Sequence, residues 1–291
     1  MSIFNLGSIN IDHIYQMQTL PRPGETLAAT QVQTVLGGKG ANQAVAAARA
    51  GADLRLIGAC GAQDGWILAA LGDAGVDITH VARLPGPSGH AVIYVDAAAE
   101  NCIVLYGGAN RQITTAQIDT ALATAKVGDW FLLQNETNLG AYAAERAASL
   151  GLKVCYSAAP FDADAVRGIL PFADLLIVNE LEEAAIRDAM PDLSPRLTQI
   201  AVVTTLGAKG TRYAAPDLAL DVAAYRVDAI DTTGAGDTFL GFFLAAIDKG
   251  ATVEVALRRA SAAAAIKVSR RGTSNAIPTQ GEVAAFQRNH A

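Results

Sequence analysis

Two stretches of this 291-residue sequence set glycines beside hydroxyls and carboxylates at the mouths of helices. The first is "DTTGAGDTF", Asp231 to Phe239, which runs into the apolar "LGFFLAAIDKG". Gly234 and Gly236 free the backbone, so that consecutive amides converge at a helix N-terminus, where the helix dipole attracts an anion such as a transferring phosphoryl group. Asp237 then places a carboxylate inside an anion-binding turn. It has two readings: a base that orients a substrate hydroxyl and takes its proton, or an N-terminal cap for helix amides. The second stretch is "LGGKGANQAVAAARAG", where Gly37, Gly38 and Gly40 precede a helix flanked by Lys39 and Asn42. It has the spacing of neither a Walker A loop nor the dinucleotide fingerprint. Either its glycines admit a ligand to the backbone while Lys39 and Asn42 donate to hydroxyls, or it is a plain strand-to-helix turn with a solvated lysine.

Other polar residues stand where apolar runs stop, the place where open parallel sheets bind ligands. They are Asn10 and Asp12 after "IFNLGSINID", Asn135 and Glu136 after "WFLLQNE", and Asn179 and Glu182 after "DLLIVNELE". Hydrolase chemistry of the Ser-His-Asp kind finds no Gly-x-Ser-x-Gly elbow, and His13, His80, His90 and His290 follow no strand in a suitable context. Zinc-ligand spacing is absent too.

The elements that must carry these residues alternate. Apolar runs "IFNLG", "LRLIGA", "WFLLQ", "KVCYS", "DLLIVN" and "AVVTTLG" predict strands, and "ANQAVAAARAG", "AYAAERAASLG" and "ELEEAAIRDAM" predict helices, the first two closing on capping glycines. The repeating order predicts an α/β class fold with a doubly wound, mostly parallel sheet and helices on both faces. Two stretches break the rhythm with strand-like alternation, about 10–38 and 88–108, and predict a small β-sheet beside the main one. That sheet is a lid over a site, an edge extension or a dimer surface. No repeat or linker divides the chain, so 1–291 is expected to form a single domain.

Composition narrows the function. With 51% hydrophobic residues the chain supplies an ample core, and a net charge of −6 with no basic run excludes the electrostatic footprint of a nucleic-acid binder. Cys60, Cys102 and Cys155 are scattered singly, which suits a reduced compartment. No basic leader precedes an apolar stretch and no window is long enough to span a membrane, so a cytoplasmic enzyme without membrane partner is expected.

Together, "GGKGANQAVAAARAGA" and "DTTGAGDTFLGFF" resemble the ribokinase (PfkB) family of carbohydrate kinases, over about Ile3 to Pro278, and "GSINID" resembles its ribokinase branch. The resemblance implies a ribokinase-like fold with a β lid, and transfer of the ATP γ-phosphoryl group to a sugar hydroxyl, for that branch D-ribose to D-ribose 5-phosphate. Alternatives are another kinase of the family, acting on fructose, a keto-deoxy sugar acid or a nucleoside, or a catalytically silent sugar- or nucleotide-sensing protein. It further implies Asp237 as catalytic base, with the amides of Gly234, Ala235 and Gly236 as the anion hole. Asn10, Asp12, Gly38, Lys39, Asn42 and Glu136 are implied to bind the sugar. Asn179 and Glu182 match an Asn-x-x-Glu element that holds Mg²⁺ and phosphates through water, and Thr205, Leu206, Gly207, Ala208, Lys209 and Gly210 match a loop that cradles ATP. A monovalent cation, usually K⁺, is implied beside the anion hole, held mainly by main-chain oxygens of Asp231, Thr233, Lys267, Arg270, Gly272 and Ala276; the two basic residues can be ligands there only through the main chain. A homodimer through the lid is implied as well. The chain departs from the family at Ser157, where many ribokinases have asparagine, at Ser261, where some relatives have a nucleotide-side histidine, and at "SGH" in the lid, where a threonine-glycine pair is common.

Overall fold

The computed structural model describes residues 1–98 and 100–290; Ala99 and Ala291 lie outside them. The described strands are β1 (Ser2–Leu6), β2 (Asn10–Gln16), β3 (Gln31–Gly37), β4 (Asp53–Gly61), β5 (Asp77–Leu84), β6 (Gly89–Val95), β7 (Asn101–Tyr106), β8 (Trp130–Leu133), β9 (Lys153–Ser157), β10 (Leu175–Asn179), β11 (Ala201–Thr205), β12 (Thr211–Ala215) and β13 (Leu218–Val222). The α-helices are α1 (Lys39–Arg49), α2 (Gly65–Asp73), α3 (Thr115–Leu122), α4 (Gly140–Ser149), α5 (Ala163–Ile169), α6 (Glu180–Ala189), α7 (Ser194–Leu197), α8 (Ala235–Asp248), α9 (Val253–Val268) and α10 (Gln280–Asn289).

Nine strands form the main sheet in the order β13-β12-β11-β10-β9-β8-β1-β4-β5. From β11 to β5 all neighbours are parallel, and β12 and β13 add an antiparallel edge. The central strands are buried on both faces, which is why they appear as near-continuous apolar runs. Ile3, Leu54 and Leu132 face one core, which α1, α8 and α9 cover, and Phe4, Leu6 and Phe131 face the other, beneath α3, α4 and α5. Gly51 ends α1 with φ +84°, while Ala52 donates back to the Ala47 carbonyl (3.0 Å); Gly151 and Leu152 end α4 in the same manner. The predicted core elements are therefore present, whereas β5 and β13, which the sequence did not signal, extend the sheet at its two edges.

The small sheet has the order β3-β2-β6-β7 and consists of the two off-rhythm stretches. Its root is fixed by Asn10, which pairs with Gly37 on β3 and Gly89 on β6. His13 and His90 lie on this sheet as packing residues, His90 against the Tyr106 ring at 5.2 Å. No helix among the described residues is long and apolar enough to cross a membrane.

Candidate active site

The first glycine turn joins the small sheet to α1. At Gly37 any side chain would collide with the Asp12 carboxylate, and Gly38 takes φ +89°, so glycine admits both the carboxylate and the turn. The turn is held from beneath: Gly40 packs on the Gly7 backbone, its amide donates to Ser8 Oγ (3.1 Å), and Ala41 donates to the Ser8 carbonyl (2.8 Å). Glu136, beyond β8, accepts from Ser8 Oγ (2.6 Å) and from the Lys39 amide (3.1 Å), with the Lys39 ammonium 4.0 Å from its other oxygen. Asn10 is buried and accepts from Asn110 Nδ2 (2.8 Å). The predicted sugar-side residues Asn10, Asp12, Gly38, Lys39, Asn42 and Glu136 thus meet around one turn.

The second glycine turn faces it across the α1–α8 crossing. Gly234, at φ +72°, starts α8, and Asp237 accepts from Asn42 Nδ2 (3.1 Å) and Gln43 Nε2 (2.9 Å). The Asp237 side chain is therefore no cap for its own helix; it is gripped by the neighbouring one. The anion-hole expectation needs one correction. The Ala235 amide donates to the Thr232 carbonyl (3.2 Å) and closes the turn, while the amides of Gly234 and Gly236 make no hydrogen bond among the described residues. Among the described residues Asn42 Oδ1 is buried without a partner, an acceptor with its lone pairs unused.

One ammonium balances the acids. Burial opposes the charge on Lys39, but Asp237, Glu136, Glu182 and Asp12 together outweigh it and hold the ammonium above its usual range. Burial, then Glu136, push the Asp12 carboxyl up to about 6 against the pull of Lys39. Burial raises Asp237 as well, restrained by Lys39 and by the amide donors of Gln43 and Asn42.

On the other side of the Gly234–Gly236 turn lies a cavity of about 320 Å³, lined by Thr205, Gly207, Ala208, Gly210 and Gly236 of the predicted residues and by Tyr225, Phe239 and Ser261. Its walls are mostly apolar, suited to a flat aromatic base. Beside it Ser261 Oγ is buried with no partner among the described residues. The Thr205–Gly210 loop is kept tight by Leu206, which donates to the Gly210 carbonyl (2.8 Å), while Lys209 turns outward to Glu180 (3.5 Å). Asn179 and Glu182 form a capping box on α6, Glu182 Oε2 accepting the Asn179 amide (2.9 Å). Glu182 Oε1 makes no hydrogen bond among the described residues, and its charge is felt by Lys39 and Asp237. Among the described residues no group of three or more His, Cys, Asp or Glu is placed to hold a metal ion directly. A single free carboxylate oxygen fits a magnesium ion that keeps its waters and leans on phosphates.

The monovalent-cation residues do not fit that ion as expected. Asp231, Thr233, Gly272 and Lys267 do converge: the Asp231 carboxylate accepts the amides of Thr233 (2.9 Å) and Gly272 (3.0 Å). The Lys267 side chain, however, does not turn away. It is fully buried, and its ammonium donates to the Asp231 carbonyl (3.0 Å), one of the oxygens assigned to the cation. The Lys267 carbonyl accepts the Arg270 amide (3.0 Å), the Arg270 guanidinium pairs with Glu282 (2.6 Å), and Ala276 donates to Thr273. Burial pushes the Asp231 carboxyl up, and the Gly272 and Thr233 amides with Lys267 outweigh it, leaving it below its usual value.

Three residues of the site carried no signal of their own. Gln43 links Asp237 to Gln134, which donates to Gln43 Oε1 (2.7 Å) and to Asn5 (3.0 Å); Asn110 accepts the Ile9 amide (2.9 Å) and positions Asn10; Ser8 joins Glu136 to the first glycine turn.

The pfkB family carbohydrate kinase pattern matches residues 2–280. The ribokinase of Haemophilus influenzae is 35% identical over 296 residues, covering 97% of this chain and 96% of its own. A crystal structure of ribokinase from Thermotoga maritima is similar with a TM-score of 0.89 and 31% identity, over 99% of this chain and 100% of its own. The Arabidopsis thaliana ribokinase complexed with ribose and ATP gives a TM-score of 0.87 at 28% identity, over 98% of each chain. Since the match runs through both glycine turns and nearly the whole sheet, the chain belongs to the pfkB family of carbohydrate kinases.

Proposed function

We propose that this chain is an ATP-dependent kinase of D-ribose, producing D-ribose 5-phosphate, with the lid sheet closing over the sugar. The observation that carries the chemistry is the grip of Asn42 and Gln43 on Asp237 beside the free amides of Gly234 and Gly236. A base thereby stands next to an anion hole. Ribose as the acceptor draws support from the ribokinase relatives and from the ribose and ATP bound by the Arabidopsis neighbour.

In this reading the sugar lies between the root of the small sheet and α1. Its hydroxyls donate to Asp12 and to the free Asn42 Oδ1, and accept from Lys39. Asp237 accepts the proton of the attacking hydroxyl as the new sugar O–P bond forms and the bond to the ADP oxygen breaks. Burial, which raises the basicity of Asp237, serves that role. Because phosphoryl transfer needs positioning and charge stabilisation more than covalent help, the Gly234 and Gly236 amides carry the equatorial oxygens. Asn179 and Glu182 face the phosphates, and the apolar cavity beside Tyr225 and Phe239 receives the base, with Ser261 Oγ as its polar partner. Magnesium, held through water by Glu182, would neutralise phosphate charge.

The test is turnover with ATP on a panel of D-ribose, 2-deoxy-D-ribose, D-fructose and nucleosides, together with Asp237→Asn. Ribose should be the preferred acceptor, and the variant should lose about 10²- to 10⁴-fold in kcat while calorimetry shows ribose binding retained. No turnover of ribose alongside turnover of another acceptor would discard the substrate, and full activity of the variant would discard the base.

A further inference from the structure

The clamp beside the anion hole already contains a cation. Lys267, in the last turn of α9, has a fully buried side chain, and its ammonium lies 3.0 Å from the Asp231 carbonyl and 3.9 Å from its carboxylate. Around it the chain is drawn tight. Ile230 and Asp231 both donate to the Val268 carbonyl (2.7 and 3.1 Å), and Gly272 donates to the same Asp231 carboxylate oxygen that Lys267 approaches (3.0 Å). The next residue, Thr232, supplies the carbonyl that closes the Gly234 turn through Ala235. Anything that fixes Asp231 therefore fixes the shape of the anion hole.

A bound potassium ion would do this by drawing carbonyl oxygens together with one positive charge. A lysine ammonium is a compact monovalent cation with three donors, and here it already occupies one of those carbonyls. It also lies near the C-terminal end of α9, where the helix dipole favours positive charge. A second cation among the same oxygens would meet this charge at close range in a buried setting, where screening is weak.

We propose that the Lys267 ammonium serves as a tethered monovalent cation, so that this chain shapes its anion hole without potassium. The proposal rests on the kinase reading for its consequence in turnover, but not for its consequence in stability. The tether differs from a bound ion in one physical respect: its effective concentration is fixed by the chain, so salt composition cannot dilute it.

The experiment compares protein prepared in choline chloride with protein in potassium chloride at equal ionic strength. Initial rates of sugar-dependent ADP formation and melting temperatures are both recorded. For the unaltered chain the two salts should give rates within about threefold and the same melting temperature, because no site is left for the ion to stabilise. Lys267→Ala should lose at least about tenfold in rate in choline and regain most of it in potassium, with a melting temperature that rises specifically with potassium. Activation of the unaltered chain by potassium beyond about threefold, or a potassium-specific rise in its melting temperature, would overturn the proposal. So would a Lys267→Ala protein equally active in both salts, or one that folds but is not restored by potassium. If the variant does not fold, the unaltered chain's salt comparison decides; if the unaltered chain phosphorylates no sugar in either salt, the kinase reading fails while the melting comparison still tests the tether.

Discussion

The Asp12 carboxyl stands among the charges of Glu136, Lys39 and Asp237, and burial outweighs them all in setting its ionisation. Its carboxyl is nearly sealed from solvent and titrates at about 6, raised from 3.8, with burial the main cause. A carboxyl raised in the folded state binds its proton more tightly than in the unfolded chain. Its stability contribution is thus full below pH 3.8 and lost as pH climbs through about 6, a difference of about 3 kcal/mol at most. Asp12→Asn removes the charge, so it should raise the melting temperature by a few degrees at pH 8 and by much less at pH 5. It should also weaken sugar binding at both values, and the share that Asp12 contributes to the fall in kcat/KM expected below about pH 6 should disappear, leaving the fall expected from the raised Asp237 carboxyl. An equal melting shift at pH 5 and pH 8 would show that charge is not the cause. At this scale the sequence was informative wherever the chemistry of a residue type is itself unusual: a carboxylate in a glycine turn, a lysine between glycines. Gln43 was silent because its meaning lies in an oxygen 194 residues away, and Asn110 because its partner is 101 residues away. Lys267 misled for the opposite reason. Its neighbours marked a cation site, but nothing local fixes which way a long side chain points.

Helix α8 can hold its Asp237 against Asn42 and Gln43 only because α1 and α8 approach closely. Gly241 makes that approach possible: a methyl group there would meet the Ala46 side chain and come within 2.7 Å of the Ala47 amide nitrogen. Gly241→Ala should therefore cost about 1–3 kcal/mol and, by prising the helices apart one turn from Asp237, lower kcat about tenfold or more without altering any site residue. Gly281→Ala in α10 is the control, since no atom lies within 4 Å of the new methyl; it should be neutral or stabilising by up to about 1 kcal/mol. Equal melting temperatures and rates for the two variants would refute the role of the crossing. The central strands and alanine-rich helices were legible because two-sided burial demands continuous apolar runs and capped helices demand glycine. β5 and β13 were not. They lie at the sheet's edges, and "DITHVARL" carries Asp, Thr, His and Arg among its apolar residues, so the signal of burial is diluted.

The whole molecule leaves one surface incomplete. Every residue of β7 is exposed, and Ile103, Val104, Leu105 and Tyr106 form an apolar row at 51%, 58%, 57% and 54% exposure on an edge strand with open backbone groups. Such an edge invites a second strand or sheet unless something covers it. This surface is where the dimer expected through the lid would form, and it bears on the site because the same sheet carries Asn10 and Asp12 at its root. Light scattering on the purified chain should give the mass of a homodimer at about 10 μM, well above the dissociation constant of an interface of ordinary size. Ile103→Glu combined with Leu105→Glu places four like charges across the pair, so it should yield monomers with an intact fold by circular dichroism. If lid pairing stiffens the sugar side, the monomer's KM for ribose should rise several-fold while its KM for ATP stays within about twofold, because the cavity proposed for the nucleotide is lined by no residue of the small sheet. A monomeric unaltered chain would remove the dimer, and an unchanged ribose KM in the monomer would leave the lid closing on the sugar unaided by a partner.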